Sequence, residues 1–183
     1  MAVGDGRSWW RALSGRKKQR GDGAVDADKR ERPSTGASGS SLNTVRELMR
    51  RGAEAGEPRA MLLHGMYLRD LDEDHAEAER WLRAALDGRS AGAAGELGKL
   101  LLLQNRDEEA EPLLNSAVEA GDKAAMVPLS LVLLRNGDRE GARAVASRAA
   151  DHGREHAREL LARIDAGWDG WTDDAEDATG PAE

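Results

Sequence analysis

Leu97-Gly-Lys-Leu-Leu-Leu-Leu-Gln-Asn-Arg-Asp-Glu-Glu-Ala-Glu-Pro-Leu-Leu-Asn-Ser-Ala117 reads as two short helices joined by a polar break. Leu97, Leu100 and Leu101 share one helical stripe, Asn105-Arg-Asp interrupts it, and Ala110, Leu113, Leu114 and Ala117 form a second stripe. The same order returns on both sides. Ala78, Ala110 and Ala142 lie 32 and 32 apart, and Gly65, Gly98 and Ser130 lie 33 and 32 apart. Leu97, Leu100, Leu101 and Leu102 map onto Leu129, Val132, Leu133 and Leu134, and Ala85, Ala117 and Ala149 keep the same offset. A period in the low thirties predicts an all-α fold of helical hairpins stacked as an α-solenoid.

The stacking follows from what one hairpin lacks. A lone helix with Leu97, Leu100 and Leu101 on one stripe has nothing to hide it against, whereas a partner helix and a neighbouring hairpin bury each Leu for roughly 1.5 to 3 kcal/mol. With 3% aromatic residues and no Phe, the core must be Leu and Ala. The small residues Gly65, Gly98, Ser130, Ala78, Ala110 and Ala142 are expected where backbones come closest.

The pattern divides the chain into a flexible basic leader over 1–40, a repeat domain over 41–166 and an acidic tail over 167–183. Within the repeats the expected helices are 58–70 and 74–87, 91–104 and 107–120, 123–136 and 139–152. A final one covers 155–166, and an unpaired helix after Ser41-Leu-Asn-Thr, read as a cap, carries Val45, Leu48, Met49 and Gly52. That makes about eight helices. Gly88, Gly121 and Gly153 are expected to close the second helices. Pro112 and Pro128 fall just past the first turns, which predicts a later start or mild kink, or else a functional bend.

Residues 1–40 hold nine Lys and Arg against five Asp and Glu, while 165–183 hold seven acids and no base. No Cys is present, so disulfides and thiolate metal sites are excluded. The pure aliphatic run Leu100–Leu103 is far short of the roughly 20 residues of a membrane span, and no signal peptide is evident. A soluble, cytoplasmic protein is expected. Abundant Arg, Ala, Gly and Asp fit a GC-rich bacterial genome.

Catalytic, cofactor and metal sites find little support. His152 and His156 have ligand spacing, but Gly153 between them breaks the shared face. The Gly-Asp-Gly pieces at 4–6 and 21–23 lack the Lys-Ser/Thr of a phosphate loop. Two tail motifs stand out. Trp9, Trp10 and Leu13, followed by Arg16, Lys17, Lys18 and Arg20, suit weak docking on an anionic membrane, docking on a partner protein, or a tail without function. Trp168 and Trp171, set among acids, suit a tail that folds back onto the repeat surface, a linear motif, or a cover for the open end of the last helix.

The segments Glu77–Gly88 and Glu109–Asp122 resemble second helices of tetratricopeptide-like repeats, particularly the Sel-like subclass, and Leu97-Gly98 resembles that family's first-helix signature. The resemblance implies a right-handed superhelix whose first helices line a concave groove. Carried over by position, the groove presents Arg59, Leu62, Met66 and Arg69, then Lys99 and Leu102, then Leu131, Leu134 and Arg135, then Glu159 and Arg163, an apolar surface with a basic fringe. The Lys and Asn pattern that clamps a C-terminal carboxylate in that family is not matched. The implied function is a non-enzymatic adaptor or scaffold for a protein or peptide, with peripheral membrane recruitment as the alternative. Nucleic acid is disfavoured by the net charge of -7.

Overall fold

The computed structural model describes residues 37–170, and among these every regular element is helical. Eight helices follow in order: α1 Ala37–Glu54, α2 Pro58–Tyr67, α3 His75–Asp87, α4 Ala93–Leu103, α5 Asp107–Glu119, α6 Met126–Arg135, α7 Arg139–Asp151 and α8 Glu155–Asp165. A π-helical turn, Leu68–Asp72, extends α2, and a 3₁₀ turn, Lys123–Ala125, leads into α6. Packing is closest within the hairpins α2–α3, α4–α5 and α6–α7, while α1 rests on α2 and α8 on α7. The first helices also touch one another, α2 to α4, α4 to α6 and α6 to α8, more closely than the second helices do.

The small residues are where the period places them, and the structure adds the reason. A Cβ on Gly65 would lie 2.8 Å from Leu82 Cγ, and one on Gly98 would lie 2.6 Å from Leu114 Cγ. One period on, Ala146 stands where Leu82 and Leu114 stood, which leaves room for a side chain at Ser130. That hydroxyl donates to the Ala142 carbonyl at 2.7 Å. Gly with Leu, Gly with Leu and Ser with Ala are therefore matched pairs filling the same space. Ala78, Ala110 and Ala142, at the facing positions, are fully buried.

The one irregular spacing also has a structural answer. Gly65 to Ala78 is 13 residues, whereas Gly98 to Ala110 and Ser130 to Ala142 are each 12. The extra residue of the first hairpin is absorbed by the π-helical turn Leu68–Asp72, a widening that adds one residue without reversing the helix. Asp74 and Asp138 then cap α3 and α7, accepting from the backbone N–H of Glu77 at 3.1 Å and of Gly141 at 2.9 Å.

Several boundaries differ from expectation. Helix α1 is already formed at Ala37, so Ser41 is not its cap and 37–40 belong to the helix. No proline lies between Pro33 and Val45 to stop upstream growth, and extending an existing helix costs little per residue. Gly88 does not provide the left-handed turn: the positive φ falls on Arg89 at 57°, in register with Gly121 at 90° and Gly153 at 76°. Gly88 is small because a Cβ there would meet Pro58 Cγ at 2.7 Å. Pro128 sits in the first turn of a later-starting α6, where its missing N–H has no helical acceptor to lose. Pro112 lies inside α5, and its exposed position leaves the Glu108 carbonyl open to water.

Candidate protein interface

The first helices α2, α4 and α6 carry the residues expected to line a groove. Arg59 is exposed on α2 and Met66 is half-buried, but Leu62, Leu102, Leu131 and Leu134 are buried in the main core. The expectation that these four leucines line an open surface is thereby corrected. All four belong to the buried core, Gly170 comes to rest beside Leu131, and Lys99, Leu100, Leu101 and Leu102 are buried in a row, on nearly every side of α4.

The basic fringe is likewise held by the protein itself. Arg69, placed by the π-helical turn, donates through Nη1 to Glu96 Oε2 at 2.7 Å and through Nε to Asp70 Oδ1 at 2.8 Å. Lys99 Nζ donates to the other oxygen of Glu96 at 2.6 Å. Burial would raise the Glu96 carboxyl, but Lys99 and Arg69 more than reverse this and hold it below the usual range. Arg135 Nε lies 3.1 Å from Asp107 Oδ2, with only 5% and 8% of the two side chains exposed, and Nη2 donates to Asn105 Oδ1 at 2.6 Å. Burial pushes the Asp107 carboxyl up despite Arg135, and its Oδ1 has no hydrogen-bond partner. Arg163 stacks on the Trp168 ring at 4.0 Å, and Glu159 is exposed.

Glu96 and Asp107 are thus the site residues that position along the first helices does not reveal. Their signal is an opposite charge slightly less than one repeat away: Arg69 and Glu96 are 27 apart, as are Arg106 and Glu79, which meet at 2.7 Å. At the second helices Glu79, Arg83, Arg106 and Glu109 form a linked set of this kind, with Arg83 and Glu109 exposed and Glu79 and Arg106 half-buried.

Trp168 is 5% exposed and joins the same core as Leu160 and Ile164, so it covers the end of α8. At the opposite end α1 leaves Val45 46% and Leu48 70% exposed. His152 caps α7 and His156 lies in α8, with Gly153 turning the chain between them. Trp9, Trp10, Leu13, Arg16, Lys17, Lys18 and Trp171 lie outside the described residues. Among the described residues no helix is long and apolar enough to cross a membrane.

No family model, curated protein or solved structure matches this chain.

Proposed function

We propose that the hairpins form an α-solenoid of tetratricopeptide-like, Sel-like type that serves as a non-enzymatic adaptor in the bacterial cytoplasm, taking a protein or peptide along its first-helix face. The observation that supports the reading is that α2 touches α4, α4 touches α6 and α6 touches α8 more than the second helices touch one another, as a row of hairpins curved toward its first helices would require. Because Arg69, Lys99 and Arg135 are already engaged with Glu96, Asp70 and Asp107, the face favours an apolar segment over a free carboxylate. The testing experiment is selection of random displayed peptides on the full chain, followed by affinity measurement on Met66→Glu and Arg59→Glu variants. Enriched peptides with apolar anchors that lose at least tenfold in affinity support the reading. Failure to enrich, or indifference to both substitutions, overturns it.

The second reading, recruitment to an anionic membrane, rests on the sequence Trp9-Trp10 followed by Arg16, Lys17 and Lys18. Flotation with anionic liposomes, with and without residues 1–20, tests it; equal flotation ends it.

A further inference from the structure

The two outermost helices are complementary halves of one hairpin. Val45, Leu48, Met49 and Gly52 of α1 stand 33 residues before Ala78, Trp81, Leu82 and Ala85 of the second helix α3. Leu161, Ala162 and Ile164 of α8 stand 32 residues after Leu129, Ser130 and Val132 of the first helix α6. Helix α1 is thus a second helix packed on α2 and lacking a first helix of its own, and α8 is a first helix packed on α7 and lacking a second. Exposure marks both gaps. Ala78, Ala110 and Ala142 are 0% exposed, whereas Val45 is 46% and Leu48 70% exposed. Gly65, Gly98 and Ser130 are buried, whereas Ala162 is exposed. The flanking sequence carries neither missing stripe: the same offsets put Lys29 and Arg32 in the places of Leu62 and Gly65, and Asp174 and Pro181 in the places of Ala142 and Ala149.

We infer that the protein self-associates head to tail, α8 of one copy packing on α1 of the next and completing between two molecules the hairpin contact that each molecule makes three times within itself. In this register Ala162 takes the place of Gly98 and Met49 that of Leu114, the pair that meets inside the α4–α5 hairpin. The unbranched Met49 adapts its shape to the added methyl of Ala162. Length suits the pairing, since the hairpin helices run 10 to 13 residues and α8 and α1 have 11 and 18. Neighbouring first helices also touch, so α8 would reach α2 of the next copy as α4 reaches α6. Charge selects α8 over a second α1. Helix α1 holds Arg46, Arg50 and Arg51 against Glu47 and Glu54, three minus two, and α8 holds Arg158 and Arg163 against Glu155, Glu159 and Asp165, two minus three. Opposite signs therefore meet head to tail, whereas two α1 helices would set like charge on like. The two faces differ, so the contact is heterologous and each added copy leaves an open α1 and an open α8 for another.

Sedimentation equilibrium on the full-length protein tests this. On hundredfold concentration from about 5 µM the weight-average mass should rise to at least about 1.5 times that of the monomer. Leu48→Glu and Ala162→Arg, both at exposed positions, should each hold the mass at the monomer. The deciding arm is their mixture. Leu48→Glu keeps an intact α8 and Ala162→Arg an intact α1, so equal amounts together should give dimers and nothing larger, which also shows that both are folded. Leu48→Lys with Ala162→Glu, a pair with the charges exchanged, should behave in the same way. A parent that stays monomeric throughout, as a cover from residues outside 37–170 would give, overturns the inference. So does association that survives Ala162→Arg, as pairing of two α1 helices would give, or monomers alone in both mixtures. Neither end is the face assigned to the adaptor role, so each reading stands or falls without the other.

Discussion

The matched pairs between hairpin helices can be separated by exchanging one pair for another. Gly98→Ser puts a Cβ 2.6 Å from Leu114 Cγ and 2.8 Å from its Cδ2, contacts no real Cβ tolerates, so a fully buried leucine must shift. Overpacking of this kind costs about 1–3 kcal/mol, lessened by roughly 0.5 kcal/mol because Ser is the better helix former. Leu114→Ala alone leaves a cavity at a cost of about 2–5 kcal/mol. The third hairpin shows that Ser and Ala coexist at the equivalent positions, with Ser130 bonded to the Ala142 carbonyl at 2.7 Å. In Gly98→Ser/Leu114→Ala the clash should vanish and the new hydroxyl should find the Ala110 carbonyl, which lies 3.4 Å from the added Cβ. The double variant should therefore be at least about 1 kcal/mol more stable than the two single losses sum to. Urea unfolding followed by far-ultraviolet circular dichroism on all four proteins measures this, with m-values compared before free energies are. Additivity within about 0.3–0.5 kcal/mol would refute the pairing.

Arg89 holds the left-handed position that Gly121 and Gly153 occupy elsewhere, so Arg89→Gly should stabilise the protein by about 0.5–1 kcal/mol in thermal or urea unfolding, after allowing for glycine's freedom in the unfolded chain. A lower stability than that of Arg89→Ala would contradict this. His64 is buried, its Nδ1 has no hydrogen-bond partner, and its ring meets the edge of Trp81 at 5.5 Å. Burial lowers its pKa from 6.5; Glu77 and Asp72 oppose the shift, while Arg46 and Arg50 reinforce it. Between 6.5 and the lower folded value the unfolded chain binds a proton that the folded chain refuses, so stability is full above this window and falls as the pH drops through it. Melting curves from pH 7.5 to 5 should fall more steeply for the parent than for His64→Leu, and parallel curves would count against the assignment.

Much of the fold is legible because the repeat is spaced by backbone geometry. Gly65, Gly98 and Ser130 mark close approaches, and Asn105-Arg-Asp and Asn136-Gly-Asp mark hairpin turns, whatever the chain binds. The misreadings come from two kinds of information that a stripe pattern does not hold. One is a shift by a single residue: the 13-residue interval in the first hairpin accompanies the π-helical turn, and a strict 32-residue offset points to Arg89, whereas residue type alone points to Gly88. The other is pairing between hairpins. Arg69, Lys99 and Arg135 read as an open basic fringe because their partners Glu96 and Asp107 belong, except for the local Lys99 pair, to a different hairpin, and Leu62, Leu102, Leu131 and Leu134 read as exposed because what buries them is tertiary. Trp168 shows the converse: a cover for the open end of the last helix is among its readings in the sequence, and the turn at Gly167 lets the indole reach the core there.

The most direct test of a row of hairpins uses the repeat itself. Ala76, Glu108 and Glu140 are exposed, 32 residues apart, and occupy equivalent positions on α3, α5 and α7. Nitroxide pairs at Ala76→Cys/Glu108→Cys, Glu108→Cys/Glu140→Cys and Ala76→Cys/Glu140→Cys, measured by pulsed electron resonance on the full chain, should give two nearly equal distances and a third about twice as long, as equal steps along a stack require. A third distance equal to or shorter than the other two would mean that the hairpins cluster about a common centre, and the stacked arrangement would be wrong.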